Sequence, residues 1–273
     1  MEGYYTAQQA REILGMTYSA LQNQVNIGNL HPVTPPGRRQ KVYPKMEVDE
    51  LKSEMEAWLI SRQQTKIPPA KFVRATVEDM PQGVALSAAI FGGHNIIPLE
   101  KRIEWLQKNS DIDYFLKQDG QVVGYFSLVP LRLETIDDLL KRRRFAKELT
   151  ADDILTYEPH VLVDLYAMAI GVRPGISVHQ KREWGKILLV GARQVIVGLG
   201  ERGIIIRSIQ THSSMPDGIR VMRHAGFTEV ESGIPGMHNF FIDVEPSGIP
   251  FVVDYKKKLK EWQERDNPGR DKS

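Results

Sequence analysis

The chain has 273 residues, of which 41% are hydrophobic and 26% are charged, and its formal net charge at pH 7 is +2. This length allows one large domain or two smaller ones to bury a core. The net charge is too small to imply a polyanionic partner, so only a local cluster of basic residues can indicate one. The absence of cysteine excludes disulfides, thiolate metal sites and a cysteine nucleophile.

The sequence predicts neither a signal peptide nor a membrane-spanning helix. The N-terminal segment lacks a basic region followed by an apolar stretch, so no signal peptide is predicted. No apolar run approaches the roughly 20 residues that a transmembrane helix needs. We therefore expect a cytoplasmic protein with no membrane partner, and we identify no metal site.

Residues 1–60 are predicted to form a small all-helical unit. Thr6 and Gln9 have the spacing of a capping box, and Thr17 is placed to cap a second helix that ends at Gly28. A proline-containing segment follows and carries four basic residues with no acid among them: Arg38, Arg39, Lys41 and Lys45. A third helix with one apolar face completes the unit.

This segment resembles the MerR/excisionase-type winged helix-turn-helix at Tyr5, Thr6, Ala10, Leu14, Gly15, Thr17, Ala20 and Leu21. The resemblance implies double-stranded DNA as a partner and a homodimer on a two-fold site. Its recognition helix, residues 18–27, would present Tyr18, Ser19, Gln22 and Asn23 to base edges, and the wing would place Arg38, Arg39 and Lys41 on phosphates. The alternative is a module for protein contacts with a solvated basic loop.

Residues 61–70 are predicted to be a linker, because they are polar and end in a stiff Pro68-Pro69 pair. The domain from 71 to 246 then has the order strand, two helices, hairpin, long strand, turn, helix, strand, helix and two strands. Asp119-Gly120 predicts the tip of the hairpin. Residues 247–273 are predicted to be a basic helical tail that fades to disorder.

A charged insertion, residues 132–159, interrupts this order and is predicted to be helical around Asp137 to Lys147. It contains the run Lys141-Arg142-Arg143-Arg144. This run is either a solvated helix face or a patch for acidic groups, and the first interpretation is favoured.

Residues 161–200 are the stretch around which the domain is organised. An apolar strand reaches a turn at Arg173-Pro174-Gly175, and a helical pattern resumes near Arg182. A strand that feeds a polar turn and a helix N-terminus can hold a phosphate, since unpaired N–H groups and the helix dipole both favour an anion there.

From residue 71 the element order resembles the GNAT acyltransferases (GCN5-related N-acetyltransferases). The motif residues are Ile170-Gly171-Val172-Arg173-Pro174, Arg182-Glu183-Trp184-Gly185 and Gly226-Phe227. The resemblance implies an α+β fold, with a mixed, mainly antiparallel sheet flanked by helices. It also implies acetyl-CoA as acyl donor and a primary amine as acceptor. Cofactor contacts are expected from Met168, Ile170 and Val172 to the pantetheine arm, and from Lys181, Arg182, Gly185 and Lys186 to the pyrophosphate.

Two positions depart from the family pattern. Ile187 stands where glycine or alanine is usual, and Met222 stands where the family usually has a tyrosine that acts as general acid. Asp164, close to the strand position where the family often has a glutamate base, is our candidate base, and Tyr166, His212 or Ser214 is our candidate acid. Counting along the strand predicts that Asp164, Tyr166, Met168 and Ile170 share one face.

The leading hypothesis is a DNA-binding protein that carries an acyl-CoA-dependent N-acetyltransferase domain. The alternative is a non-enzymatic transcriptional regulator whose GNAT-like domain senses an acyl-CoA or mediates assembly.

Overall fold

A computed structural model describes residues 3–37, 40–63, 69–93 and 96–266. The chain divides into two compact units, Met1–Ile67 and Pro68–Ser273. Within the described ranges, every helix is too short or too polar to cross a bilayer.

The first unit contains three helices: α1 (Ala7–Leu14), α2 (Tyr18–Asn26) and α3 (Lys45–Gln63). The predicted caps are present, since the Thr6 hydroxyl accepts from the Gln9 amide at 3.2 Å and the Thr17 hydroxyl from the Ala20 amide at 3.3 Å. Two short antiparallel strands, β1 (Tyr4–Thr6) and β2 (Val42–Pro44), depart from the all-helical expectation.

The second unit is built on a seven-stranded sheet in the order β3-β4-β5-β6-β7-β9-β8. Only β6 and β7 run parallel, so the sheet is mixed and mainly antiparallel, as predicted. The strands are β3 (Lys71–Arg74), β4 (Asp113–Gln118), β5 (Gln121–Leu131), β6 (Leu162–Val172), β7 (Ile205–Ser213), β8 (Thr228–Val230) and β9 (His238–Asp243).

In the described part of this unit, the helices that flank the sheet are α4 (Met80–Phe91), α5 (Leu99–Lys108), α6 (Leu133–Leu140), α7 (Val178–Glu201), α8 (Pro216–His224) and α9 (Pro250–Asp266). Alternation along β5 separates two cores. Leu128 packs with α7 and α9 on one side, here named the α7 face, and Val129 packs with α5 and α6 on the other, the α5 face.

The helix predicted as a tail is part of the core. Tyr255 of α9 is 1% exposed, and its hydroxyl donates to the Ile204 carbonyl at 2.8 Å and accepts from the Ile206 amide at 2.7 Å. The domain therefore extends well past residue 246.

The prediction of a helix around Asp137 to Lys147 is wrong for most of that range, because α6 ends at Leu140. Arg142 then adopts a left-handed backbone conformation with φ of 56°. Short 3₁₀ turns follow at Ala146–Glu148 and Ala151–Asp153. The hairpin turn is as predicted, with positive φ at Asp119 and Gly120.

Candidate functional site

The two parallel strands separate part-way along their length. β6 pairs with β7 from Leu162 to Tyr166, and β6 then continues to Val172 beside β5 alone. The Thr211 hydroxyl donates to the Ala167 carbonyl at 2.6 Å, at the last point of contact. Beyond this bond the sheet has a split with β6 on one side and β7 on the other.

A β-bulge lies at the start of the split. Ser127 and Leu128 of β5 face Ala169 and Ala167, so Met168 is an additional residue on β6. The bulge places Met168 and Ala169 together beside the cavity described below, and Ile170 packs on the α7 face. The prediction that Ile170 shares a face with Tyr166 is therefore wrong, because a two-residue count does not foresee the bulge.

The edge of β6 along the split has free backbone groups. The Arg173 amide donates to the Val123 carbonyl at 2.8 Å, and hydrogen-bonded pairs alternate along an antiparallel ladder. Gly171 therefore bonds to β5, whereas Ile170 and Val172 direct their N–H and C=O groups into the split. In the described part of the chain no strand covers this edge. An extended ligand with amide groups can bond to it.

Two helix N-termini lie at the ends of the separated strands. The Ser177 hydroxyl caps α7 by accepting from the Gln180 amide at 3.2 Å, and α8 begins at Pro216 after β7. The sequence prediction started this helix near Arg182 and was wrong, since the Lys181 amide already bonds to the Ser177 carbonyl at 2.9 Å. The amides free for an anion are those of Val178 and His179, one turn earlier.

The predicted basic residues lie on the first turns of α7. Lys181 forms an ion pair with Asp217 of α8, which holds the pKa of Asp217 below its ordinary value. Arg182 and Lys186 are exposed, and no carboxylate pairs with either one in the described ranges. Gly185 adjoins open space, since a Cβ there would meet nothing within 4 Å.

Ile187 does not crowd this end of the helix. Its side chain packs against the core on the α7 face. The departure from the family pattern at Ile187 therefore has no steric consequence at the helix N-terminus.

A cavity of about 180 Å³ lies on the α5 face at the same split. Residues from both separated strands line it, together with residues that follow α4 and α6. Its polar and sulfur-bearing lining includes Arg102, Tyr125, Arg142, Arg144, Tyr166, Met168 and His212.

Two of the predicted catalytic residues meet in this cavity. The Tyr166 hydroxyl and the His212 Nδ1 atom are 2.8 Å apart. Burial, with a further contribution from Arg142, lowers the pKa of His212 to about 4, and burial raises the pKa of Tyr166. At neutral pH the imidazole is therefore uncharged and the phenol is protonated.

Asp164, the third predicted catalytic residue, is placed elsewhere. Its carboxylate is 4% exposed, accepts from the Ser208 hydroxyl at 2.7 Å and forms a two-point ion pair with Arg207. It does not line the cavity. Met222 is buried in α8, as expected of an apolar side chain.

A buried ion pair beneath the cavity was missed at the sequence level. Arg102 Nη2 lies 2.6 Å from Asp113 Oδ1, and neither side chain is more than 7% exposed. The same carboxylate oxygen accepts from Ser127 at 2.7 Å and from Tyr125 at 3.2 Å. The sequence signal for this ion pair was Asp113 itself, a charged residue at the first position of an otherwise apolar strand segment.

In the first unit, the predicted base-reading side chains form one side of α2. Tyr18, Ser19 and Asn23 are exposed, Gln22 is half-buried, and Lys41 is exposed beside β2. Arg38 and Arg39 lie outside the described residues. Across those residues, no group of three histidine or acidic side chains is placed to hold a metal ion.

Comparison with known proteins gives matches among solved structures alone. No family model matches the chain, and no curated protein matches it. The ribosomal-protein-alanine N-acetyltransferase of Brucella melitensis is 19% identical, with 63% of this chain and 96% of that chain covered and a TM-score of 0.38.

Two further solved structures are similar. For the acetyltransferase of Thermus thermophilus the identity is 17%, the coverage 66% and 99%, and the TM-score 0.38. The loading GNATL domain of CurA from Lyngbya majuscula is 13% identical, with 64% of this chain and 97% of that chain covered and a TM-score of 0.45. Because these identities and TM-scores are low, the functional proposal rests on the chain's own geometry.

Proposed function

We propose that the second unit is an acyl-CoA-dependent N-acyltransferase that uses acetyl-CoA as acyl donor and a primary amine as acceptor. The observation that carries the proposal is the split between β6 and β7. An extended amide-bearing arm fits the open edge of β6 at Ile170 and Val172, and a pyrophosphate fits the free amides at Val178 and His179. Arg182 and Lys186 add positive charge nearby.

The chemistry takes place where the split meets the cavity. The amine attacks the thioester carbonyl, the C–N bond forms, the C–S bond breaks, and CoA leaves as a thiolate that takes up the proton lost by the amine. His212 accepts the proton of the attacking amine at Nε2, in the tautomer whose Nδ1–H donates to the Tyr166 hydroxyl and so holds the ring in place. A free N–H on β6 polarises the thioester carbonyl.

Val172→Pro gives a sharp test of the cofactor site. Proline removes the Val172 N–H, one of the two that face the split, and leaves the bonds between β5 and β6 in place, since the Val172 N–H does not take part in them. Losing one hydrogen bond should weaken acetyl-CoA binding by about threefold to tenfold in calorimetric titration. Val172→Ala, which keeps the N–H, is the matched control and should bind like the parent chain.

Turnover is tested by thiol release from acetyl-CoA over a panel of amines. We expect amine-dependent release that falls by at least about a hundredfold in His212→Gln, in line with the usual contribution of a general base. Binding without release from any amine would favour the regulator that senses an acyl-CoA, an alternative that the buried Met222 supports.

For the first unit we propose binding to double-stranded DNA, as a dimer on a two-fold site. The support is one polar side of α2, formed by the exposed Tyr18, Ser19 and Asn23 and the half-buried Gln22. Asn23→Ala should lower affinity for a selected site and leave affinity for random duplex unchanged, whereas Lys41→Ala should weaken both and reduce the salt dependence. Equal loss on both duplexes for the two variants would contradict base reading by α2.

A further inference from the structure

The basic run after α6 divides into three paired cations and one unpaired cation. Lys141 pairs with Asp137, Arg143 with Asp137 and Asp138, and Arg144 with Asp153. The Arg142 guanidinium has no carboxylate partner in the described ranges, and its Nε atom is buried without a hydrogen bond.

The backbone directs this one arginine inward. Arg142 has a φ of 56°, a left-handed conformation that side-chain-bearing residues rarely adopt, and it is half-buried while Lys141 and Arg143 are exposed. Its side chain lines the cavity beside Tyr166 and His212, and its guanidinium carbon lies 5.7 Å from the Phe145 ring centroid.

The cavity has a positive charge that nothing in its lining offsets. Arg102 is neutralised by Asp113 and Arg144 by Asp153, and no aspartate or glutamate occurs among the described lining residues. An unpaired, partly buried arginine in such a place is costly unless a ligand supplies the counter-charge.

From these observations we infer that the acyl acceptor is a small amine carrying an anionic group, a carboxylate or a phosphate, which Arg142 binds. The inference rests on the proposed function in taking the cavity as the acceptor site. The guanidinium can form two parallel hydrogen bonds to either group, and this fixes the amine relative to His212. The cavity volume of about 180 Å³ suits a small molecule or a single side chain.

Arg142→Gly is the informative variant, because glycine relieves the left-handed backbone and should leave the melting temperature unchanged or higher. Arg142→Lys retains the charge, and Arg143→Gln removes an exposed, paired cation from the next position. Three probes of similar length are titrated calorimetrically with CoA saturating, so that the pyrophosphate site is filled: 3-aminopropanoate, 2-aminoethylphosphonate and propylamine.

We expect at least one anionic probe to bind more tightly than propylamine. That preference should fall by about tenfold to a hundredfold in Arg142→Gly, the usual effect of losing a charged hydrogen-bond partner, and should be partly kept in Arg142→Lys and unchanged in Arg143→Gln. The carboxylate and phosphonate arms distinguish the two anion classes. In turnover, kcat/KM for the preferred anionic amine should follow the same order.

Equal binding of all three probes, or equal loss in Arg142→Gly and Arg143→Gln, would overturn the inference. Repeating the titrations without CoA separates the two proposals. Arg142-dependent anion binding in a chain that fails to bind acetyl-CoA would support the anion site and overturn the acyltransferase, whereas acetyl-CoA binding with no anion preference would do the reverse.

Discussion

Replacing Asp113 with alanine removes one partner of the ion pair beneath the cavity. Asp113 is completely buried and Arg102 is 6% exposed, so the arginine would keep its charge with no carboxylate beside it. Breaking such a pair costs about 3–5 kcal/mol of unfolding free energy. For a unit of this size each kcal/mol lowers the melting temperature by about 2–4 °C, so we expect a fall of about 6–20 °C.

Calorimetric melting of the whole chain measures this change. Asp137→Ala is the matched control, because that carboxylate is 41% exposed and pairs with Lys141 and Arg143, and its loss should cost less than about 1 kcal/mol. Arg102→Met combined with Asp113→Ala removes both charges and should recover most of the loss. The reasoning is refuted if Asp113→Ala has the same melting temperature as Asp137→Ala, or if the double variant is no more stable than Asp113→Ala alone.

Three further predictions concern stability. Because the pKa of His212 in the folded chain is lowered to about 4, the imidazole takes up a proton in the unfolded chain at a higher pH than in the folded chain. The folded state therefore loses stability as pH falls from about 6.5 towards 4. His212→Gln should flatten the dependence of the unfolding free energy on pH in this range, measured by denaturant titration, and an unchanged dependence would disprove the burial of an uncharged His212. Gly191→Ala would bring a Cβ within 2.6 Å of the Phe72 ring and should cost about 1–3 kcal/mol, whereas Gly198→Ala meets nothing and should be neutral or stabilising; similar melting temperatures would contradict the packing. Tyr255→Phe deletes a hydroxyl between two buried backbone groups and should cost about 1–3 kcal/mol in urea unfolding; an unchanged midpoint would be inconsistent with that bridge.

Local signals predicted much of the fold. The capping box at Thr6, the cap at Thr17 and the turn at Asp119-Gly120 depend on side-chain and backbone chemistry within a few residues, and each is present in the structure. The order of the strands from residue 71 followed from apolar runs separated by turn residues.

The candidate site was predicted less completely, because its geometry depends on contacts between distant parts of the chain. The bulge at Met168 is defined by pairing with β5 and changes the face of Ile170. Arg142 differs from its neighbours in the run by a left-handed backbone conformation at the end of α6 and by the lack of a carboxylate partner within the described ranges.

The start of α7 is a local signal that was passed over. Ser177 precedes the helix and caps it, whereas the family motif that this stretch resembles begins only at Arg182. The anion site that we propose therefore lies at the amides of Val178 and His179, one turn earlier, and the side chains of Arg182 and Lys186 are exposed nearby.

The most direct test of the central claim is amide hydrogen exchange along β6, followed residue by residue with and without acetyl-CoA. The amides of Ala169 and Gly171 bond to β5 and should be protected in both states. The amides of Ile170 and Val172 face the split and should exchange rapidly in the free chain and become protected when acetyl-CoA binds. Unchanged exchange at Ile170 and Val172 in the presence of saturating acetyl-CoA would contradict a cofactor held at the split.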